Sequence, residues 1–132
     1  MLTKTVLFVC VENAARSQMA EAFFNTMAPK GLRALSAGTR PAERVNPKAV
    51  EVMREVGIDI SIQRPKNITQ DMIKKANRII TMGCGAGFCP SDFLPKIEDW
   101  ELDDPAIQPL NRVREIRDEI RRRVEDLIAS MS

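Results

Sequence analysis

The chain has 132 residues, 44% of them hydrophobic, enough apolar side chain for the core of one domain, and a single domain over residues 1–132 is predicted. Its 20 basic and 18 acidic residues leave a net charge of +2, a balance that argues against a nucleic-acid-binding tract or a polybasic membrane anchor. The absence of histidine excludes Ser-His and Cys-His catalysis together with the commonest metal ligand, and 3 cysteines are too few for a disulfide framework.

In chain order, Thr5 to Val9 (TVLFV) is a β-branched and aromatic run without polar alternation, the pattern of a strand buried on both faces of a parallel sheet. The apolar run Val6 to Val11 is far shorter than the roughly 20 residues a membrane span needs, which predicts a cytoplasmic protein with no membrane partner. From Ser17 the spacing turns helical, with Met19, Phe23 and Met27 four apart, until Pro29 stops it. Leu32 to Ala37 reads as a second strand. Asn46 as N-cap and Pro47 at the first helical position then open a helix carrying Val50, Met53 and Val56, closed by Gly57. Thr69 caps a short helix through Ala76, Arg78 to Met82 is a third strand and Lys96 to Trp100 a fourth. A long helix from about Asn111 to Met131 follows, with a stripe of Val113, Ile116, Ile120, Val124, Leu127, Ile128 and Met131. The charge-rich stretch Arg112 to Glu125 reads as its solvated face. Strands alternating with helices predict an α/β fold: a three-layer open parallel sheet of about four strands with helices on both faces.

The segment from Cys10 to Ser17 (CVENAARS) joins the first strand to the first helix, so the amides of Val11, Glu12, Asn13, Ala14, Ala15, Arg16 and Ser17 can converge on one point, a ready anion site. Arg16 adds a planar fork that matches two oxygens of a tetrahedral oxyanion. The same positive surroundings favour the thiolate of Cys10, and Ser17 can donate a further hydrogen bond to the sulfur. A chain without histidine can thus activate a cysteine. Cys84 follows the third strand, at the carboxyl end of the sheet like Cys10, in a segment that also holds Gly83, Gly85, Gly87 and Cys89. A structural site of three thiolates and a metal lacks a clear fourth ligand and a paired C-x2-C knuckle, so no metal is assigned there.

A cysteine, five residues and then Arg-Ser directly after the first strand resembles the low-molecular-weight protein tyrosine phosphatase superfamily, and Asn13 matches its loop asparagine. Ser17-Gln18-Met19-Ala20-Glu21 and Ser36-Ala37-Gly38-Thr39 look like its thioredoxin-coupled arsenate reductase branch. The resemblance implies that Cys10 attacks arsenate held by the loop and Arg16. It further implies that Asp104, in the pair before Pro105, protonates the departing oxygen, with Asp103 the alternative. Cys84 would then form a disulfide with Cys10 and release arsenite, and Cys89 would move that disulfide to Cys84-Cys89 for reduction by thioredoxin or a similar dithiol. No tightly bound cofactor is implied, although Asn13, Glu21 and Ser36 match positions near a potassium site in some reductases. Two rivals are a phosphatase working through a phosphocysteine at Cys10, and a non-catalytic oxyanion-binding or redox-sensing module. Against a tyrosine-phosphate specialist, Ala106 stands where such phosphatases carry an aromatic residue after Asp-Pro.

Overall fold

The computed structural model of the chain describes residues 3–82 and 97–131. Strand β1 (Lys4–Cys10) is central, with β2 (Leu32–Gly38) on one side and β3 (Arg78–Thr81) and β4 (Ile97–Asp99) on the other, giving the order β2-β1-β3-β4 with every pair parallel. The apolar run of β1 explains its place: Val6, Leu7, Phe8 and Val9 are all fully buried. Burial of each such side chain contributes about 1.5–3 kcal/mol, which only a strand covered on both faces collects in full.

Alternate residues of β1 feed two cores. Val6, Phe8 and Cys10 pack under helices α1 (Arg16–Met27), α2 (Pro47–Arg54) and α4 (Leu110–Met131). Leu7 and Val9 pack on the opposite face with Ile73 and Ala76 around α3 (Gln70–Lys75). The fold is therefore the expected parallel sheet with helices on both faces, the pattern that period-two alternation along β1 requires.

Local signals place the helices. Asn46 caps α2 by accepting from Lys48 N at 2.8 Å ahead of Pro47, and Thr69 Oγ1 accepts from Met72 N at 3.1 Å to start α3. Helix α2 ends at Arg54, before Gly57, whose φ of +83° turns the chain back. The third strand ends at Thr81, one residue before the expected Met82, the fourth is seen over Ile97–Asp99, and a 3-10 turn (Pro105–Ile107) precedes α4. Val113, Ile116, Ile120, Val124 and Leu127 are buried along α4 as their period predicts. One charged member of the stretch expected to be solvated is not: Arg117 is only 8% exposed, because it lies four residues beyond Val113 on the buried stripe. Among the described residues no helix is long and apolar enough to cross a membrane.

The topology fixes where chemistry can occur. Cys10 pairs with Gly38, Val9 with Thr81 and Thr81 with Asp99, so the carboxyl ends of all four strands lie at one edge. The chain steps from β1 outward to β2 and returns across it to β3. That reversal leaves a crevice at the end of β1, where open parallel sheets bind ligands.

Candidate active site

Cys10 is the last residue of β1 and Arg16 the first of α1, so the anion loop is the short path from strand to helix. The carbonyls along it are committed to protein donors: Val11 O accepts from Arg40 N at 2.8 Å, Glu12 O from Ala42 N at 3.0 Å and Ala14 O from Asn46 N at 2.8 Å. Asn13 O accepts from Gln18 Nε2 at 3.0 Å and Ala15 O from Met19 N at 2.9 Å. Carbonyls would repel an anion. With those of residues 11 to 15 occupied, and no side chain capping α1, the amides of the loop and first helical turn are left for the ligand.

The loop holds this shape because Asn13 takes a φ of +51°, a conformation asparagine tolerates better than most residues. Behind it, a methyl group on Gly38 would meet Val11 O at 2.6 Å and Asn13 N at 3.0 Å. Only glycine lets β2 pass this close.

A buried hydrogen-bond chain leads to Cys10, the candidate nucleophile. Asn13 Oδ1 accepts from the backbone N–H of Lys66 at 2.8 Å, and a backbone amide can only donate, so the other end of the side chain must be the NH2 group. That group donates to Ser17 Oγ at 2.7 Å. Ser17 is fully buried, and its hydroxyl lies 2.8 Å from Cys10 Sγ, where it can donate its proton to a thiolate. A hydroxyl so placed is a ready hydrogen-bond donor to a sulfur that carries negative charge. Cys10 is 3% exposed and Arg16 8% exposed, with Arg16 Nη1 donating to Leu102 O at 3.1 Å.

Cys10, Val11, Glu12, Ala14, Ala15 and Arg16 line a cavity of about 430 Å³ together with Asn46, Leu102, Asp103 and Asp104. A wider depression of about 720 Å³ beside α2 holds Arg44, Arg54 and Arg64 but no cysteine, so size alone does not locate the site. The structure thus brings Cys10, the anion loop, Arg16 and both aspartates to one place. Asp103 accepts from Arg112 Nη2 at 2.6 Å, and both aspartates line the cavity wall opposite the loop. The exposed Glu12 puts its charge at the rim rather than at the buried floor. Cys84 and Cys89, and the glycines beside them, lie outside the described residues.

Asn13, Glu21 and Ser36 do not fit the potassium site that the resemblance implies. Asn13 Oδ1 already accepts from Lys66 N and, at 3.1 Å, from Gln18 Nε2, which uses both of its lone pairs. Glu21 faces the Lys66 ammonium at 3.8 Å. Burial pushes the Glu21 carboxyl above its ordinary value, against the opposing pull of Lys66 and of Ser36. The Ser36 hydroxyl is buried near this carboxylate yet outside hydrogen-bond geometry with any described partner.

Sequence reasoning missed two supports of the site. Gln18 is fully buried and ties Asn13 to Arg64 O at 3.0 Å, and a polar residue on the inner face of an amphipathic helix was the available signal. Asn46 was legible as a helix cap, but its contact with Ala14 and its place in the cavity wall arise only through space.

Comparison with known proteins places these features in context. A model of the family described as low molecular weight phosphotyrosine protein phosphatase matches residues 5–132. A glutaredoxin arsenate reductase from a Synechocystis species is 40% identical over 131 residues, 98% of this chain and 99% of that protein. A solved structure described as an arsenate reductase in the phosphate binding state aligns with a TM-score of 0.88 at 39% identity, covering 98% of this chain and 100% of that one. The thioredoxin-dependent arsenate reductase of Corynebacterium glutamicum aligns with a TM-score of 0.82 at 37% identity over 98% of this chain and 62% of its own.

Proposed function

Because the chain belongs to the low molecular weight phosphotyrosine protein phosphatase family, we propose that it is an arsenate reductase that recycles through a dithiol donor, a single domain working in the reducing cytoplasm. The observation that carries oxyanion binding is the occupied row of carbonyls at residues 11 to 15, which leaves amides and Arg16 to meet the ligand. The Asn13-Ser17-Cys10 chain supports attack by the sulfur.

In this reading the Cys10 thiolate forms a bond to arsenic(V), and one arsenate oxygen leaves as water after taking a proton from Asp104. The Cys84 thiolate then attacks Cys10 Sγ. The electron pair of the sulfur–arsenic bond stays on arsenic, which departs as arsenite, and a Cys10-Cys84 disulfide remains. Cys89 attacks Cys84, returning Cys10 as a thiolate and leaving a Cys84-Cys89 disulfide. An external dithiol of the thioredoxin or glutaredoxin class reduces it, so two electrons enter for each arsenate reduced.

Phosphate shares the shape and charge of arsenate, so slow hydrolysis of aryl phosphates through Cys10, Arg16 and Asp104 accompanies the main activity. The test is arsenate-dependent oxidation of a thioredoxin or glutaredoxin system, run beside aryl phosphate hydrolysis. Catalytic turnover of arsenate exceeding ester hydrolysis supports the reductase. Ester hydrolysis alone would return the chain to the phosphatases, and binding without either reaction would make it an oxyanion-binding module.

A further inference from the structure

The loop carrying Asp104 is anchored by Leu102, which packs against the main core, and by the buried Pro105, but the residues around them are polar or exposed. Glu101, Asp103 and Asp104 are exposed, Ile107 is 88% exposed, and the only regular structure is the single 3-10 turn. A proton donor must nevertheless be held within about 0.5 Å of its working position. Contacts from charged donors on three helices help fasten the loop. Arg16 Nη1 donates to Leu102 O at 3.1 Å, Arg112 Nη2 to Asp103 Oδ2 at 2.6 Å and Lys48 Nζ to Gln108 O at 2.7 Å. They come from α1, α4 and α2, and they bracket Asp104 on both sides.

The Lys48 contact is tied to the anion loop. Asn46 N donates to Ala14 O at 2.8 Å, and Asn46 Oδ1 accepts from Lys48 N at 2.8 Å. The start of α2 is thereby registered against the loop that cradles the ligand, and Lys48 carries that register across to Gln108. Arg112 acts from the other side by engaging the neighbouring carboxylate of Asp103. We infer that Lys48 and Arg112 are positioning residues that hold Asp104 in line with the leaving oxygen. Neither lines the ligand cavity, so each acts through the loop rather than on the substrate.

This inference rests on the proposed role of Asp104, and the experiment separates the two. Pre-reduced Lys48→Met, Arg112→Ala, Arg112→Lys and Asp104→Asn proteins would be mixed with rising arsenate without external dithiol, and arsenite formed in one round measured across pH. Lys48→Met and Arg112→Ala should each lower the limiting rate about 3–10-fold while half-saturating arsenate stays within about twofold. Their alkaline limbs should flatten toward that of Asp104→Asn, because a displaced acid no longer governs the rate. Arg112→Lys keeps a cation beside Asp103 and should recover most of the lost rate. Wild-type limiting rates in Lys48→Met and Arg112→Ala, with Asp104→Asn impaired, would overturn the positioning role and leave the acid standing. A rate loss with an unshifted pH profile, or a rise in half-saturating arsenate alone, would overturn it too. A wild-type rate in Asp104→Asn would remove the acid assignment itself and this inference with it.

Discussion

Two polar clusters in this molecule use hydrogen bonds to opposite ends. Under the anion loop, Asn13, Ser17 and Gln18 are fully buried and mostly uncharged, and their donors and acceptors satisfy one another in one arrangement. Between α2 and α4 the cluster is charged and largely wet: Arg114 grips Glu55 through Nε at 2.9 Å and Nη2 at 2.8 Å, and Arg117 joins Glu55 at 2.8 Å, Asp118 at 2.8 Å and Val52 O at 2.9 Å. Stranding a buried polar group costs about 1–3 kcal/mol, whereas an exposed ion pair is worth about 0–1 kcal/mol. The first cluster can therefore specify the position of a sulfur to a fraction of an ångström. The second can only help clamp two helices.

The sharpest way to break this contrast is Asn13→Ala. It removes the donor to Ser17 and strands the Lys66 amide and Gln18, so arsenate turnover should fall at least about tenfold and unfolding free energy by about 2–3 kcal/mol. Steady-state kinetics with urea unfolding would check both. Arg117→Met should lower stability by about 1–3 kcal/mol, since Val52 O loses a donor, yet leave turnover within about twofold. Arg114→Ala, which breaks an exposed ion pair, should barely move the urea midpoint and leave turnover unchanged. Comparable activity losses in the arginine variants would erase the distinction between the clusters.

The pH dependence of stability sharpens the same contrast through two glutamates of opposite behaviour. Burial raises the Glu21 carboxyl above its ordinary 4.5, so the folded state holds that proton more firmly than the unfolded chain does. Its contribution is complete below 4.5 and is lost as pH rises through the raised value. Hydrogen bonds from Arg114, then from Arg117, lower Glu55, whose contribution is present above 4.5 and is lost as pH falls through the lowered value. Glu21→Gln should therefore gain on the wild type as pH rises past 4.5, and Glu55→Gln should gain as pH falls below it. Urea midpoints of the three proteins against pH would show the crossing, and parallel curves would contradict it.

What could be read from the sequence was local. The Thr5 to Val9 run placed the central strand, the Asn46-Pro47 pair started α2, and the spacing from Cys10 to Arg16 marked the strand-to-helix loop proposed to bind the anion, because each signal lies within one element or turn. Gly38 appeared only as part of a matching turn. Its need to lack a side chain comes from the register that sets β2 beside Cys10 and brings Val11 O within 2.6 Å of a methyl. The Leu102 carbonyl that receives Arg16 is 86 residues away along the chain, and no local pattern announces such a closure. Arg117 was partly legible, since it falls on the buried face of α4 four residues after Val113, but the density of charge around it masked the spacing.

The central claim is that oxyanion chemistry at Cys10 hands its electrons to thiols rather than to water. Peptide mapping of the unreduced Cys89→Ser protein, after one equivalent of arsenate, tests this most directly. The account predicts one arsenite released and a Cys10-Cys84 disulfide trapped, with no further turnover when the dithiol system is supplied. Cys10 and Cys84 recovered as free thiols after arsenate, in a protein that still hydrolyses aryl phosphates, would contradict it.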